Sequence, residues 1–269
     1  LKRLVMINSD GKSAPVSGDP GGVTTELVDL RRRVFARTPA RRILTDLLTL
    51  DAAESALAAG ADGIYVDSFA DYGVTAIRGI TDRPVIGAGE AALAEAVGLG
   101  TFAVVTVWPA SLGFIYDERL AAVPGAADAC LDVHHYSPED ELDLVGTGTS
   151  VRARMVRHEV DLVADLIRTC REVREQTGAE GIVLGCTCMA PVADEIAAGC
   201  DFPVLDPARI GLAAARAAVL SSSPPADGDG AQAHVRDPLI ASAVDAWLEH
   251  TPEETGDDCV VCAIPSPSN

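Results

Sequence analysis

Gly60-Ala61-Asp62-Gly63-Ile64-Tyr65-Val66-Asp67-Ser68 returns 118 residues later as Gly178-Ala179-Glu180-Gly181-Ile182-Val183-Leu184-Gly185-Cys186. Each copy reads as a glycine ending a helix, a short buried strand, and a residue presented just past the strand's carboxyl end. Ligand chemistry on open α/β sheets collects beyond those ends. The duplication therefore predicts two lobes that each aim one residue into a shared cleft, a hydroxyl from Ser68 and a thiol from Cys186.

The repeat extends outward. Arg83-Pro84-Val85-Ile86-Gly87 precedes a helical run from Glu90 to Val97, and Phe202-Pro203-Val204-Leu205-Asp206 precedes one from Ala208 to Leu220. Upstream, the apolar run Leu4 to Ile7 ends in Asn8-Ser9-Asp10, while Phe102 to Val105 ends in Thr106-Val107-Trp108. Matches in one order at nearly half the chain length mark a tandem duplication, since solenoid periods run about 20–50 residues.

Strand and helix alternate, which predicts parallel sheets covered on both faces: an α/β fold of two pseudo-symmetric Rossmann-like lobes with a cleft between them. Strands are expected at 63–67, 84–87, 102–107, 129–134, 181–185 and 203–205, and a helix from Thr45 to Ala59. Residues 11–24 read as a long loop, longer than a usual strand-to-helix turn, and 26–35 are ambiguous. One long helix is expected from Ser150 to Gln176, its buried stripe formed by Val156, Val160, Val163, Ile167 and Cys170, with His158 solvated off the stripe. The lobes divide as 1–101 plus 208–250 and 102–207; Ser221 to Gly230 is a linker by composition, and 251–269 is a tail without periodicity.

A formal charge of −19 argues against nucleic acid and against an anionic membrane surface, both of which need clustered Lys and Arg. No stretch approaches the ~18–20 apolar residues of a membrane span, and Leu4–Ile7 is too short for a signal-peptide core. The opening Leu in place of Met implies a trimmed or alternative start. Seven scattered cysteines do not form a secreted disulfide framework, so a cytoplasmic location is expected.

Cys186 lies in Gly185-Cys186-Thr187-Cys188-Met189-Ala190-Pro191, where Pro191 suits the first turn of a helix continuing through Ile196. A thiol at a helix start has its pKa lowered by backbone N–H groups and the dipole, and can act as base or nucleophile. The ordinary fate of a free cysteine, buried and inert, is the competing reading. Its place at a strand end inside a duplicated segment favours chemistry and predicts an exposed thiol in the cleft.

Gly181-Ile182-Val183-Leu184-Gly185-Cys186-Thr187-Cys188-Met189 resembles the second-cysteine motif of the aspartate/glutamate racemase superfamily. Ser68-Phe69-Ala70-Asp71-Tyr72-Gly73 resembles the first motif of its hydantoin-racemase branch, where Cys-Phe-Gly-Asp-Pro-Gly is usual, and Pro84 to Ala92 and Phe102 to Thr106 match that branch in order. The resemblance covers about residues 1–220. It implies a cofactor-independent racemase or epimerase that moves a proton at a carbon next to a carbonyl or carboxylate, with one catalytic cysteine per lobe. Carried onto this chain, Cys186 is the acid/base and Ser68 stands in the other catalytic position. Asn8, Phe69, Thr106, Thr187 and Cys188 fall at substrate-binding positions, with backbone amides holding the anion. The implied partner is a small acid or hydantoin-like molecule, with no metal or cofactor, and a homo-oligomer is expected.

Ser68 is the departure, because a serine hydroxyl is a poor base near neutrality. One-thiol chemistry, decarboxylation or isomerisation through an enediolate as in arylmalonate decarboxylase, is the alternative, and a non-catalytic anion-binding member is a third. Asp67 and His135 could assist proton transfer, or could be a solvated carboxylate and part of a surface or core histidine pair. Cys259-Val260-Val261-Cys262 has redox or zinc spacing without a second pair, and neither a dinucleotide fingerprint, a P-loop nor a Gly-x-Ser-x-Gly elbow is present.

Overall fold

The computed structural model describes residues 1–8, 21–222 and 234–250. Its strands are β1 Lys2–Asn8, β2 Val23–Asp29, β3 Gly63–Val66, β4 Val85–Gly87, β5 Phe102–Thr106, β6 Cys130–His135, β7 Gly181–Leu184 and β8 Val204–Leu205. The helices are α1 Pro39–Ala58, α2 Val74–Arg78, α3 Ala88–Leu99, α4 Gly113–Ala122, α5 Ala126–Ala129, α6 Glu141–Leu144, α7 Val151–Val156, α8 Val160–Thr177, α9 Ala193–Ala198, α10 Pro207–Ser221 and α11 Pro238–His250.

The expected duplication is realised in the sheets. Four parallel strands in the order β2-β1-β3-β4 are matched by four in the order β6-β5-β7-β8. Register repeats as well: Ile7 pairs with Val66, and Val105 with Leu184. The next backbone bond is also the same in both, Asp67 N–H to the Ile7 carbonyl and Gly185 N–H to that of Val105. Gly60 and Gly178 both take positive φ, 86° and 71°, after the preceding helix. Asp67 and Gly185, and hence Ser68 and Cys186, are structurally equivalent.

Alternation along each strand sorts side chains onto two faces. In the first sheet Val5, Ile7, Ile64 and Val66 pack under α1, α2 and α11, while Leu4, Met6 and Tyr65 pack against Ala215 and Val219 of α10. In the second, Ala103, Val105, Ile182 and Leu184 meet α8, while Phe102, Val104 and Val183 meet Ala92, Leu93 and Ala96 of α3. Each lobe therefore sends the helix after its fourth strand to cover the other lobe's sheet. The division expected at residue 101 counts α3 with the first lobe; Ala92, Leu93 and Ala96 of α3 pack on the second sheet and Ala88 on the first.

Two expectations change. Part of the loop assigned to residues 11–24 and the ambiguous segment after it is β2, an edge strand whose exposed alternate residues hid its period. The long helix breaks at Arg157–Glu159, where His158 takes φ 52°. That break resets the helical phase, so Val156 and Val160 are 48% and 80% exposed, and the buried face of α8 is Leu162, Val163, Leu166, Cys170 and Val173. His158 is exposed, as expected, and pairs with Glu195. Most of the linker, the tail from 251 and Cys259/Cys262 lie outside the described residues. Among the described residues no helix is long and apolar enough to cross a membrane.

The crossing of α3 and α10 tests this architecture. A Cβ added at Gly211 of α10 would stand 2.7 Å from the Tyr65 ring and 2.9 Å from the Ala88 backbone, whereas at exposed Gly98 of α3 it would meet nothing within 4 Å. Gly98→Ala should stabilise the fold by up to about 1 kcal/mol through helix propensity. Gly211→Ala should destabilise it by roughly 1–3 kcal/mol through overpacking. Urea unfolding of the two variants measures the contrast.

Candidate functional site

A cavity opens at the carboxyl ends of both sheets. Its walls come from four connections: residues 33–36 between β2 and α1, 68–72 after β3, 108–116 after β5, and 185–187 after β7. Ser68 and Cys186 both line it, each 8% exposed. Cys186 is thus nearly buried, in contrast to the exposed thiol expected. The lobes touch at its floor, where the Thr187 hydroxyl donates to the Asp67 carbonyl at 3.3 Å.

Cys186 enters a six-residue 3-10 helix, Thr187–Val192, followed by α9, in place of the single α-helix expected from Pro191. The Cys188 backbone N–H donates to Cys186 Sγ at 3.1 Å. The two sulfurs are joined as a disulfide, with Cα atoms 5.1 Å apart. Cys188 does not line the cavity; its place in this structure is as the partner of Cys186. The resemblance implies a substrate-binding place for Cys188; a bond to Cys186 is not among the expectations. Among the described residues no group of three His, Cys, Asp or Glu side chains could hold a metal.

Ser68 Oγ accepts the Ala70 N–H at 3.3 Å, and among the described residues no carboxylate or imidazole bonds to it. Asp67 is buried, but its carboxylate accepts from the Tyr65 hydroxyl at 3.1 Å, beside the start of α10. His135 Nδ1 lies 3.0 Å from the Trp108 carbonyl. Neither lines the cavity, so the two expected assistants stand apart from it. Asn8 and Thr106 occupy equivalent ends of β1 and β5, both buried behind the lining. Thr106 bonds the Tyr116 hydroxyl, which donates to the Gly185 carbonyl at 3.0 Å. A side chain at position 185 would meet Thr106 Cβ at 2.7 Å, which explains the glycine there. Phe69 and Thr187 do line the cavity.

The Ser68 loop is pinned by Asp71, a residue sequence reasoning passed over. Asp71 takes φ 50° and is buried. Its carboxylate accepts from the first-turn N–H groups of Gly89 and Glu90 in α3, both at 2.8 Å, and meets Arg119 of α4 at 3.4 Å. Gly87 and Gly89 make room, since side chains there would overlap Asp71 and the Phe69 carbonyl. Arg42 adds a bond to the Ala70 carbonyl at 3.0 Å and an ion pair with Glu118 at 2.8 Å. The sequence also left Phe35, Tyr72, Leu112, Ile115 and Tyr116 unassigned. The one available signal was their aromatic or branched character close to expected strand ends.

Fold and cavity define a pseudo-symmetric, two-lobed α/β protein with its candidate chemistry between the lobes. The Asp/Glu/hydantoin racemase family model matches residues 19–215, and the chain belongs to that family. A hydantoin racemase of Paenarthrobacter aurescens is 29% identical over 149 residues, 54% of this chain and 56% of the relative. The match therefore spans little more than half of that relative's length. Among solved structures, allantoin racemase from Klebsiella pneumoniae has a TM-score of 0.67 at 22% identity, covering 88% of this chain and 95% of its own. Arylmalonate decarboxylase has a TM-score of 0.55 at 17% identity, covering 84% and 96%. At these identities the structural likeness shows the fold.

Asp71 gives a pH signature. Burial, then repulsion from Glu90, raise its pKa from 3.8 to about 7 against the pull of Arg119 and the two N–H groups. Between those values the folded state holds more proton than the unfolded one, so this residue's contribution to stability falls as pH rises through the window. Asp71→Asn should flatten that part of the dependence of Tm on pH, with slopes from the other raised carboxyls, Asp46, Glu141 and Asp206, remaining. An unchanged profile would remove Asp71 from this role.

Proposed function

We propose that the protein is a cofactor-independent racemase of a hydantoin-type small molecule, with Cys186 as the acid/base at the carbon beside a ring carbonyl. The observation that carries the reading is the pair Ser68 and Cys186, equivalent residues of a duplicated fold lining one cavity. The cavity's charge supports a neutral substrate. Arg33 is the only charged side chain among its described lining residues, so the ammonium of a free amino acid finds no carboxylate there, and burying it unpaired is costly.

As thiolate, Cys186 takes the carbon-bound proton and becomes a thiol, leaving an enolate whose charge rests on the ring carbonyl. Water held at Ser68 returns a proton to the other face, and the hydroxide so formed takes the proton from the thiol. Ser68 orients that water; its hydroxyl is not asked to ionise. Thr187 ties the two reactive loops together. Single-thiol decarboxylation is the second reading, favoured by the absence of a base on Ser68 among the described residues. Solvent deuterium separates the two: a racemase washes label into recovered substrate, whereas a decarboxylase labels product alone. Self-association into a homo-oligomer belongs to the same proposal, and sedimentation velocity reads it.

The disulfide sets a condition. Cys186 joined to Cys188 has no proton to move, so the chemistry requires Cys186 released from that bond, as a reducing cytoplasm would keep it. Racemisation followed by circular dichroism should rise on treatment with dithiothreitol, and Cys188→Ala should be active without it. Activity indifferent to reductant in protein shown by mass to carry the disulfide would sink the role of Cys186.

The two reactive positions should respond unequally. Cys186→Ala should lose at least ~10²-fold in rate, the scale of a general acid/base. Ser68→Ala should fall by less, and Ser68→Cys should raise racemisation by adding a second group of accessible pKa. Equal loss in Cys186→Ala and Ser68→Ala at unchanged substrate affinity would instead make Ser68 a direct proton donor.

A further inference from the structure

Aromatic residues make up 4% of the chain, yet five of its eleven Phe, Tyr and Trp side chains line this one cavity. Two of them, Phe35 from the connection before α1 and Trp108 from the segment after β5, meet across the lobes with ring centroids 4.9 Å apart and planes tilted by 51°. We infer that the Phe35–Trp108 pair is the wall that selects the substituent on the substrate's reacting carbon, accepting an aromatic or other apolar group in preference to a ureido or carboxylate group. This rests on the hydantoin reading and specifies it.

The pair is built in advance. Both rings pack on Val145 of the second lobe. The Phe35 segment is tied to α1 by the Thr45 hydroxyl donating to the Val34 carbonyl at 3.1 Å, and the Arg37 guanidinium lies 6.0 Å from the Phe35 ring while donating to the Leu142 carbonyl. Trp108 is held through its N–H on Thr106 Oγ1 at 3.2 Å and its carbonyl beside His135. Both rings remain partly exposed amid buried neighbours, so their faces are open to a ligand and little ordering is needed to receive one. Ala36, Leu112 and Ile115 extend the apolar lining. Arg33 already pairs with Asp29 at 3.7 Å. Against the ring faces a ureido group would lose water without gaining a hydrogen bond from them, and an apolar wall disfavours such a polar group by up to about 10²-fold. An aryl group gains ring contact instead.

The test compares 5-benzylhydantoin, 5-methylhydantoin and allantoin, the ureido case, with reduced protein. Racemisation is followed by circular dichroism, and binding by calorimetry in a Cys186→Ala background that cannot turn over. The expected order is benzyl first, by about tenfold or more over allantoin in both readouts, within the range one apolar contact set supplies. Phe35→Ala and Trp108→Ala should each cut kcat/KM for the benzyl compound about tenfold more than for the methyl compound. Trp108→Phe should keep most of the preference. Racemisation without a benzyl preference, or equal losses on all three compounds in folded variants, overturns the wall and leaves the racemase reading standing. Selective binding of the benzyl compound with no racemisation by the wild-type protein does the reverse. If the alanine variants fail to fold, the ranking of the three compounds by the unaltered protein decides alone.

Discussion

The exchange of α3 and α10 between the lobes is the constraint on which the rest depends. A four-stranded parallel sheet of this kind must be covered on both faces, because its central strands are apolar and buried on both. Each lobe supplies one cover from its own connections and takes the other from its twin. The two exchanged helices pack together where they cross, closely enough that Gly211 has no room for a side chain. Neither sheet can then turn away from the other without uncovering its core. The cleft is a consequence, since strands of both sheets run out toward the same space.

The start of α3 does a second task. Its first-turn N–H groups bind Asp71, so the helix that covers the second sheet also seats the Ser68 loop of the first. Arg119 of α4 meets the same carboxylate, and Arg42 reaches from the Ala70 carbonyl to Glu118. Packing and positioning are coupled at this junction. A buried carboxylate at the lobe boundary is costly when ionised, and its cost depends on pH, so the precision of the Ser68 loop is maintained at the expense of some stability near neutrality.

How much of this was legible follows from periodicity. The duplicated strand copies, the glycines that precede them and the helices after β4 and β8 could all be read, because each is specified within about ten residues. The break at His158 could not: it resets the helical phase through one backbone conformation, and the valines on either side look apolar whether buried or not. β2 was hidden because an edge strand buries few residues. At the site, Ser68 and Cys186 were legible as strand-end residues, and Phe69 and Thr187 through the resemblance of the motifs that follow them. Phe35 was not, since it reaches the cavity through a connection whose course depends on both lobes. Asp67 and His135 misled for a related reason. A titratable residue near a strand end faces the cleft or its back according to side-chain direction, and here Tyr65 and Trp108 supply their partners.

The symmetry of the backbone and the asymmetry of the two reactive side chains belong together. Ser68 and Cys186 each stand just past a strand end, held by the backbone and bordering the cavity. Exchanging thiol for hydroxyl there changes one atom and leaves register, helix exchange and loop anchoring unaltered. The same exchange moves a proton donor from a pKa of ~8.5 to far outside the range useful at neutral pH. Chemistry can therefore change at one lobe while the fold reads as duplicated throughout. On the proposed reading, the fold separates the geometry of proton transfer, set by the backbone, from the acidity of each partner, set by one atom.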